Sequence, residues 1–248
     1  RVIEIETYEE RSLITQYLNS QNPVRESYFI ANNHIIRDLQ EKLLSKGYFL
    51  ERQINELAYI KQYENNVPKE LENITVLKLE DTIQHYVGAF SNKDAPQAKR
   101  GKGALFNRNN IEDRLKDISA DKVIEAEKTY AAISKVITKY RKNRRNIENN
   151  DFTTFLGISP DEYNSDEYSF VNTGDIVILN AVTLMKKRSI GNNLNERIAT
   201  SIMMIKDIIK DDNQLRQLPP ATMTKQNGIY EAVQRKIIDG ENVNNSDK

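Results

Sequence analysis

Two asparagines and a glutamine crowd one short turn of this chain, Leu18-Asn19-Ser20-Gln21-Asn22-Pro23-Val24, with Arg25 directly after it. A side-chain amide carries both a donor and an acceptor, so Asn19, Gln21 and Asn22 could pair with a base edge or with exposed backbone. Arg25 stands where a helix is expected to begin, and a cation beside free helical N–H groups suits a phosphate. A plainer reading has Asn19 and Asn22 capping the two flanking helices while Gln21 steadies the turn.

Lys99, Arg100 and Lys102, with Gly101 and Gly103 among them, form the second candidate set. Flexible cations next to glycine N–H groups can clamp phosphates. The P-loop spacing is absent, however, and a solvated basic loop over Asn92 to Asn110 explains the composition equally well. Between Lys139 and Arg145 five of seven residues are basic, at a helix C-terminus where cations are favoured anyway. Arg52, after Glu51, is a further binding candidate, or half of an ion pair at a sheet edge.

Other chemistry has little material. There are no cysteines and two histidines, which leaves no thiolate nucleophile, disulfide or cysteine-based zinc site. His34 and His85 read as surface or structural residues on helices. Asp161-Glu162 and Asp166-Glu167 lack the spacing and glycine of a calcium loop. No catalytic residue, metal or cofactor is therefore expected.

The elements that must position these groups are mostly helices. Val2 to Ile5 reads as a strand, and Thr7 caps a helix carrying Leu13, Ile14, Tyr17 and Leu18. A second helix is expected from about Arg25 to Lys46, with Phe29, Ile36, Leu39 and Leu43 on one stripe and Gly47 as its stop. Tyr48 to Arg52 should form a strand, with another near Tyr59 to Tyr63. From Thr75 to Ser91 the apolar spacing predicts a helix, followed beyond the basic loop by a short one at Ile111 to Ile118. The most regular pattern lies between Asp121 and Tyr140, where Val123, Ala126, Tyr130, Ile133, Ile137 and Tyr140 make a bundle seam. Glu148 to Glu167 holds six acidic residues and no lysine or arginine, so it reads as a connector anchored by Phe152, Phe155 and Leu156. Helices should then run from a cap at Asn172 or Thr173 to Arg188, from Leu194 to Lys210, and from Tyr230 to Ile238.

The fold expected is predominantly α with a small β component, an α+β arrangement with a helical C-terminal half. Residues 1–118 should form one segment and 119–240 a helical region with the acidic connector near 148–167. Residues 241–248 read as a disordered tail. Of 248 residues, 36 are basic and 36 acidic, so any nucleic-acid contact must come from local patches rather than from net charge. Mean hydropathy is -0.67 and no apolar run approaches membrane-spanning length, which points to the cytoplasm and away from membranes.

Val2 to Ile5, Ile14 to Val24 with its Asn-Ser-Gln-Asn-Pro string, and Gly47 to Arg52 together resemble the core of the AIPR family of abortive-phage-infection proteins. The similarity continues through Lys78 to Asp81, the helix to Phe90, and Lys102 to Phe106. Members usually carry an upstream Asn-Gly-x-Gln-Thr motif and often a nuclease-like N-terminal segment. Neither stands here, and Arg1 opens directly on a strand, so the resemblance implies an interior and C-terminal piece that is non-catalytic on its own. It implies a role in anti-phage defence. The reading of the residues adds a module recognising DNA, RNA or a nucleotide through Asn19, Gln21, Asn22, Arg25, Arg52, Lys99, Arg100 and Lys102. Two alternatives stand beside it. One is a helical interaction module, with the Val123 to Tyr140 seam packing a homodimer. The other is a nuclease-type enzyme whose catalytic part lies before Arg1.

Overall fold

In a computed structural model, residues 30–63, 71–101, 105–106, 108–145 and 151–246 are described. They divide into two compact units, with boundaries at Glu80/Asp81, Leu105/Phe106 and Lys116/Asp117. The described residues are mostly helical and include a two-stranded sheet, as the patterning predicts.

In the first unit, helix α1 spans His34–Leu44 and buries Ile36, Leu39 and Leu43 on one stripe. Its start is local: the Asn33 side chain accepts from the Ile35 N–H at 2.9 Å, which caps the helix and breaks the longer one expected from Arg25. Gly47, at φ 82°, supplies the left-handed turn into strand β1, Tyr48–Glu51. Helix α2, Glu56–Tyr63, replaces the strand expected near Tyr59. Glu56 decides this, because its carboxylate accepts from the Arg52 and Gln53 N–H groups and fixes the first turn. Strand β2, Thr75–Lys78, pairs parallel with β1 in the register Tyr48↔Thr75 to Glu51↔Lys78. A parallel pair needs a long crossover, and the α2 segment provides it. β-Branched Thr75 and Val76 favour the strand over the helical start expected there. Phe49, Leu57 and Leu71 form the core under the sheet.

Helix α3, Leu79–Phe90, leaves β2 without a break. Helix α4, Ala95–Arg100, occupies the segment expected to be a basic loop, with Pro96 in its first turn and Ala95 and Ala98 buried. Helix α5, Arg108–Leu115, belongs to the first unit and begins before the expected Ile111.

The second unit is a helical assembly. Helix α6, Ala120–Arg145, buries Val123, Ala126, Ile133, Ile137 and Tyr140. Its main partner is α8, Asp175–Lys187, which is buried continuously from Ile176 to Thr183. A helix apolar all round belongs at a centre, and α4, α6, α9 and α12 all pack on α8. The α6 seam is thus filled within the chain. Gly174, rather than Asn172 or Thr173, precedes α8, and a Cβ there would meet the Phe170 carbonyl oxygen at 2.9 Å, so the position favours glycine. Helix α7, Asp151–Leu156, sits in the acidic segment and drives Phe152 into a ring cluster with Tyr140, Tyr163 and Tyr168.

Helix α9, Leu194–Asp211, is capped by Asn193, whose side chain accepts from the Glu196 N–H at 3.0 Å. Two single-turn helices follow, α10 at Asn213–Arg216 and α11 at Pro220–Met223. Helix α12 spans Asn227–Ser246, longer at both ends than the apolar spacing predicts. Among the described residues no helix is long and apolar enough to cross a membrane.

Candidate functional site

Asn19, Gln21, Asn22, Arg25 and Lys102 lie outside the described residues. Arg52 does not pair with Glu51. Its Nη2 meets Glu56 Oε1 at 2.9 Å and its Nη1 donates to the Ala31 carbonyl at 3.3 Å. Its buried Nε has no hydrogen-bond partner among the described residues.

Lys99 and Arg100, the described members of the second candidate set, both lie on α4 and are bonded to their own chain. Lys99 Nζ donates to Asp175 Oδ1 at 2.5 Å, in the first turn of α8, where a carboxylate also suits the helix dipole. Arg100 donates to the Lys225 carbonyl at 3.1 Å and to Asn227 Oδ1 at 2.9 Å, tying α4 to the start of α12. In the cluster at the end of α6, Arg141 donates to Asn172 Oδ1 at 2.7 Å, and Lys139 lies 5.4 Å from the Phe155 ring.

Asp175 joins a larger polar array. Tyr130 OH donates to its Oδ2 at 3.2 Å, the Tyr130 ring stacks on His85 at 3.6 Å, and His85 Nδ1 lies 3.0 Å from Glu127 Oε1. Burial, and then the Asp175 charge, push the Tyr130 phenol up to about 12. The array joins α3, α4, α6 and α8, and its hydrogen bonds satisfy half-buried groups. That is the pattern of a structural polar network. His34 is exposed at the start of α1. Among the described residues no group of three or more histidines and carboxylates could hold a metal ion.

The second unit also contains a cleft of about 440 Å³ that the sequence reading missed. One wall comes from Asp166, Glu167 and Ser169, and another from Lys206 and Lys210, one turn apart on α9. Arg216 of α10 adds a third cation. Phe170, Ile209, Leu215, Leu218 and Met223 supply apolar surface. Lys206 Nζ is held 3.4 Å from Asp207 Oδ1 and 5.8 Å from the Tyr168 ring centroid. Burial acts to lower its pKa, but Tyr168, Asp207 and Glu167 outweigh that, and the ammonium stays above its usual range.

The family model described as AIPR protein matches residues 1–247. The chain belongs to the AIPR family. Membership of this family suggests a part in abortive infection and resistance to phage. No curated protein and no solved structure matches it.

For an AIPR chain, the cleft is the described feature best suited to taking a small ligand. Its size lies within the roughly 300–1,000 Å³ of ligand pockets, and it combines apolar surface with a few charged groups. Lys206, Lys210 and Arg216 can bind an anion, while Asp166 and Glu167 can accept from amino or ring N–H groups. One signal was legible: Lys206 and Lys210 share a helix face at i, i+4 with Ile209 beside them. Nothing in the spacing, however, brings Asp166 next to Arg216.

Proposed function

We propose that this chain is a recognition module of a cytoplasmic phage-defence protein, acting by binding a nucleotide or nucleic acid rather than by catalysis. The observation that supports the reading is the cleft, where three cations and two carboxylates surround apolar surface in a ligand-sized volume. A base needs an apolar seat and acceptors for its N–H groups, and a phosphate needs cations. Asn19, Gln21, Asn22, Arg25, Arg52 and Lys102 are proposed as a further contact set. Lys99 and Arg100 would have to release Asp175 and Asn227 to join them, and Arg52 would have to release Glu56, so these three rank behind the cleft cations.

Equilibrium binding to fluorescent single-stranded DNA, RNA and ribonucleoside triphosphates tests the reading. Binding of at least one class is expected, weakened by added salt because phosphates are contacted. Failure of every class up to about 1 mM, roughly -4 kcal/mol of binding free energy, would overturn it. In a host carrying the intact gene, phage resistance should fall when Asn22→Ala is introduced. Undiminished protection would remove Asn22 from the contact set.

A further inference from the structure

Resting on that reading, we infer that the cleft walled by α9, α10 and the Asp166–Phe170 segment takes a single nucleoside phosphate rather than a stretch of DNA or RNA. The charges around it decide between the two. A polymer carries a phosphate at every nucleotide, and its strand must leave a pocket along a continuing track of cations. Along α9 the cations of the cleft are interleaved with carboxylates. Lys206 is followed by Asp207, and Lys210 by Asp211 and Asp212. The neighbouring groove is lined by Ile208, Asp211, Asp212, Asn213, Gln214 and Ala232, with no cation in it. A phosphodiester backbone running out along α9 would therefore meet carboxylates.

A compact ligand meets no such barrier. Lys206 and Lys210 stand one helical turn apart on the same face of α9, and Arg216 reaches the same cleft from α10. Lys206 is already oriented by Tyr168 and Asp207, so little side-chain freedom remains to be lost when an anion arrives. Phe170, Leu215 and Met223 are nearly fully buried and make a firm floor. Half-buried Ile209 and Leu218 offer the apolar surface that remains accessible. Asp166 and Glu167 supply acceptors for the amino and ring N–H groups of a base, and would repel a second phosphate placed there.

Calorimetric titration of the whole chain separates the possibilities. The probes are the four common ribonucleoside triphosphates, adenosine, inorganic tripolyphosphate, and single-stranded oligonucleotides lacking terminal phosphates. At least one triphosphate should bind, with adenosine and tripolyphosphate each about tenfold or more weaker than the best nucleotide. Lys210→Glu combined with Arg216→Glu, both exposed positions, should weaken that nucleotide at least about tenfold and leave the thermal midpoint unchanged. Tripolyphosphate binding as well as the nucleotides would reduce the cleft to a general anion site and overturn the inference. Oligonucleotides binding while every nucleotide fails would also overturn it, leaving the recognition reading intact. Full nucleotide affinity in the double variant would place the ligand elsewhere. Silence from all probes, oligonucleotides included, would sink the recognition reading itself.

Discussion

Asn180, buried in α8, donates its side-chain amide to the carbonyl oxygen of Gly88 in α3 at 3.0 Å. Gly88 is among the last four carbonyls of its helix, where intrahelical donors run out, so a side chain from α8 takes that place. The same amide reaches Asn92 Oδ1 at 3.3 Å, just past the end of α3. Replacing Asn180 with alanine would leave a buried carbonyl without this partner, at a cost of about 1–3 kcal/mol. Urea denaturation should show a lower midpoint with an unchanged slope. A midpoint equal to that of the parent chain would mean that the contact adds nothing to stability.

Gly88 also allows the two helices to touch. A Cβ placed on it would stand 3.0 Å from Ile176 Cγ2 and 3.3 Å from Ile176 Cδ1. Alanine gains about 1 kcal/mol of helix propensity over glycine, and crowding against the fully buried Ile176 opposes it by about 1–3 kcal/mol. Gly88→Ala should accordingly be neutral to destabilising. The sharper expectation is coupling: Ile176→Ala, costly alone, should cost measurably less in the Gly88→Ala background because the added methyl occupies part of the space. A double-mutant cycle by chemical denaturation reads this directly. Additive effects would show that the helices relax apart instead.

How much of this was legible in the sequence follows from what each feature depends on. Val123, Ala126, Ile133 and Ile137 announce α6 because their spacing alone defines one face, and the structure buries that face. The central position of α8 was less visible, since continuous burial from Ile176 to Thr183 erases the amphipathic signal. Tyr59 to Tyr63 read as a strand because aromatic and β-branched residues fit a pleated surface. Glu56 overrode that preference by reaching back three and four residues to bond two N–H groups at the helix start, a local signal that outweighs strand propensity.

The candidate site was harder still. Lys99 and Arg100 were visible as cations, but their partners Asp175 and Asn227 lie 76 and 127 residues along the chain. Asp166 and Glu167 lack the spacing and glycine of a calcium loop, so local sequence gives them no ligand. They share a cleft with Lys206 and Arg216 because α10 packs on α9 and α11 on the Ser169–Asn172 turn, and that follows from packing, not from local sequence.

Tyr130 and Asp175 give the last test, since a hydrogen bond and a charge act together on one phenol. Burial contributes most to raising Tyr130 from 10.0 to about 12, and the charge and hydrogen bond of Asp175 come next. Replacing Asp175 with asparagine removes the charge, so the Tyr130 phenol should titrate at lower pH, closer to its ordinary value. The sign for stability follows from linkage. A phenol whose folded pKa exceeds its unfolded one contributes stability that is fully present below pH 10 and is lost as pH rises toward 12. Tyr86, raised to about 12 by burial and then by Asp117, acts in the same window. The parent chain should therefore lose stability between about pH 10 and 12, and Asp175→Asn should lose less there, whatever its stability at neutral pH. Absorbance titration of the phenolates with parallel denaturation curves measures both quantities. An unchanged Tyr130 titration in the variant would mean that burial alone raises the phenol and that the Asp175 contact is electrostatically silent.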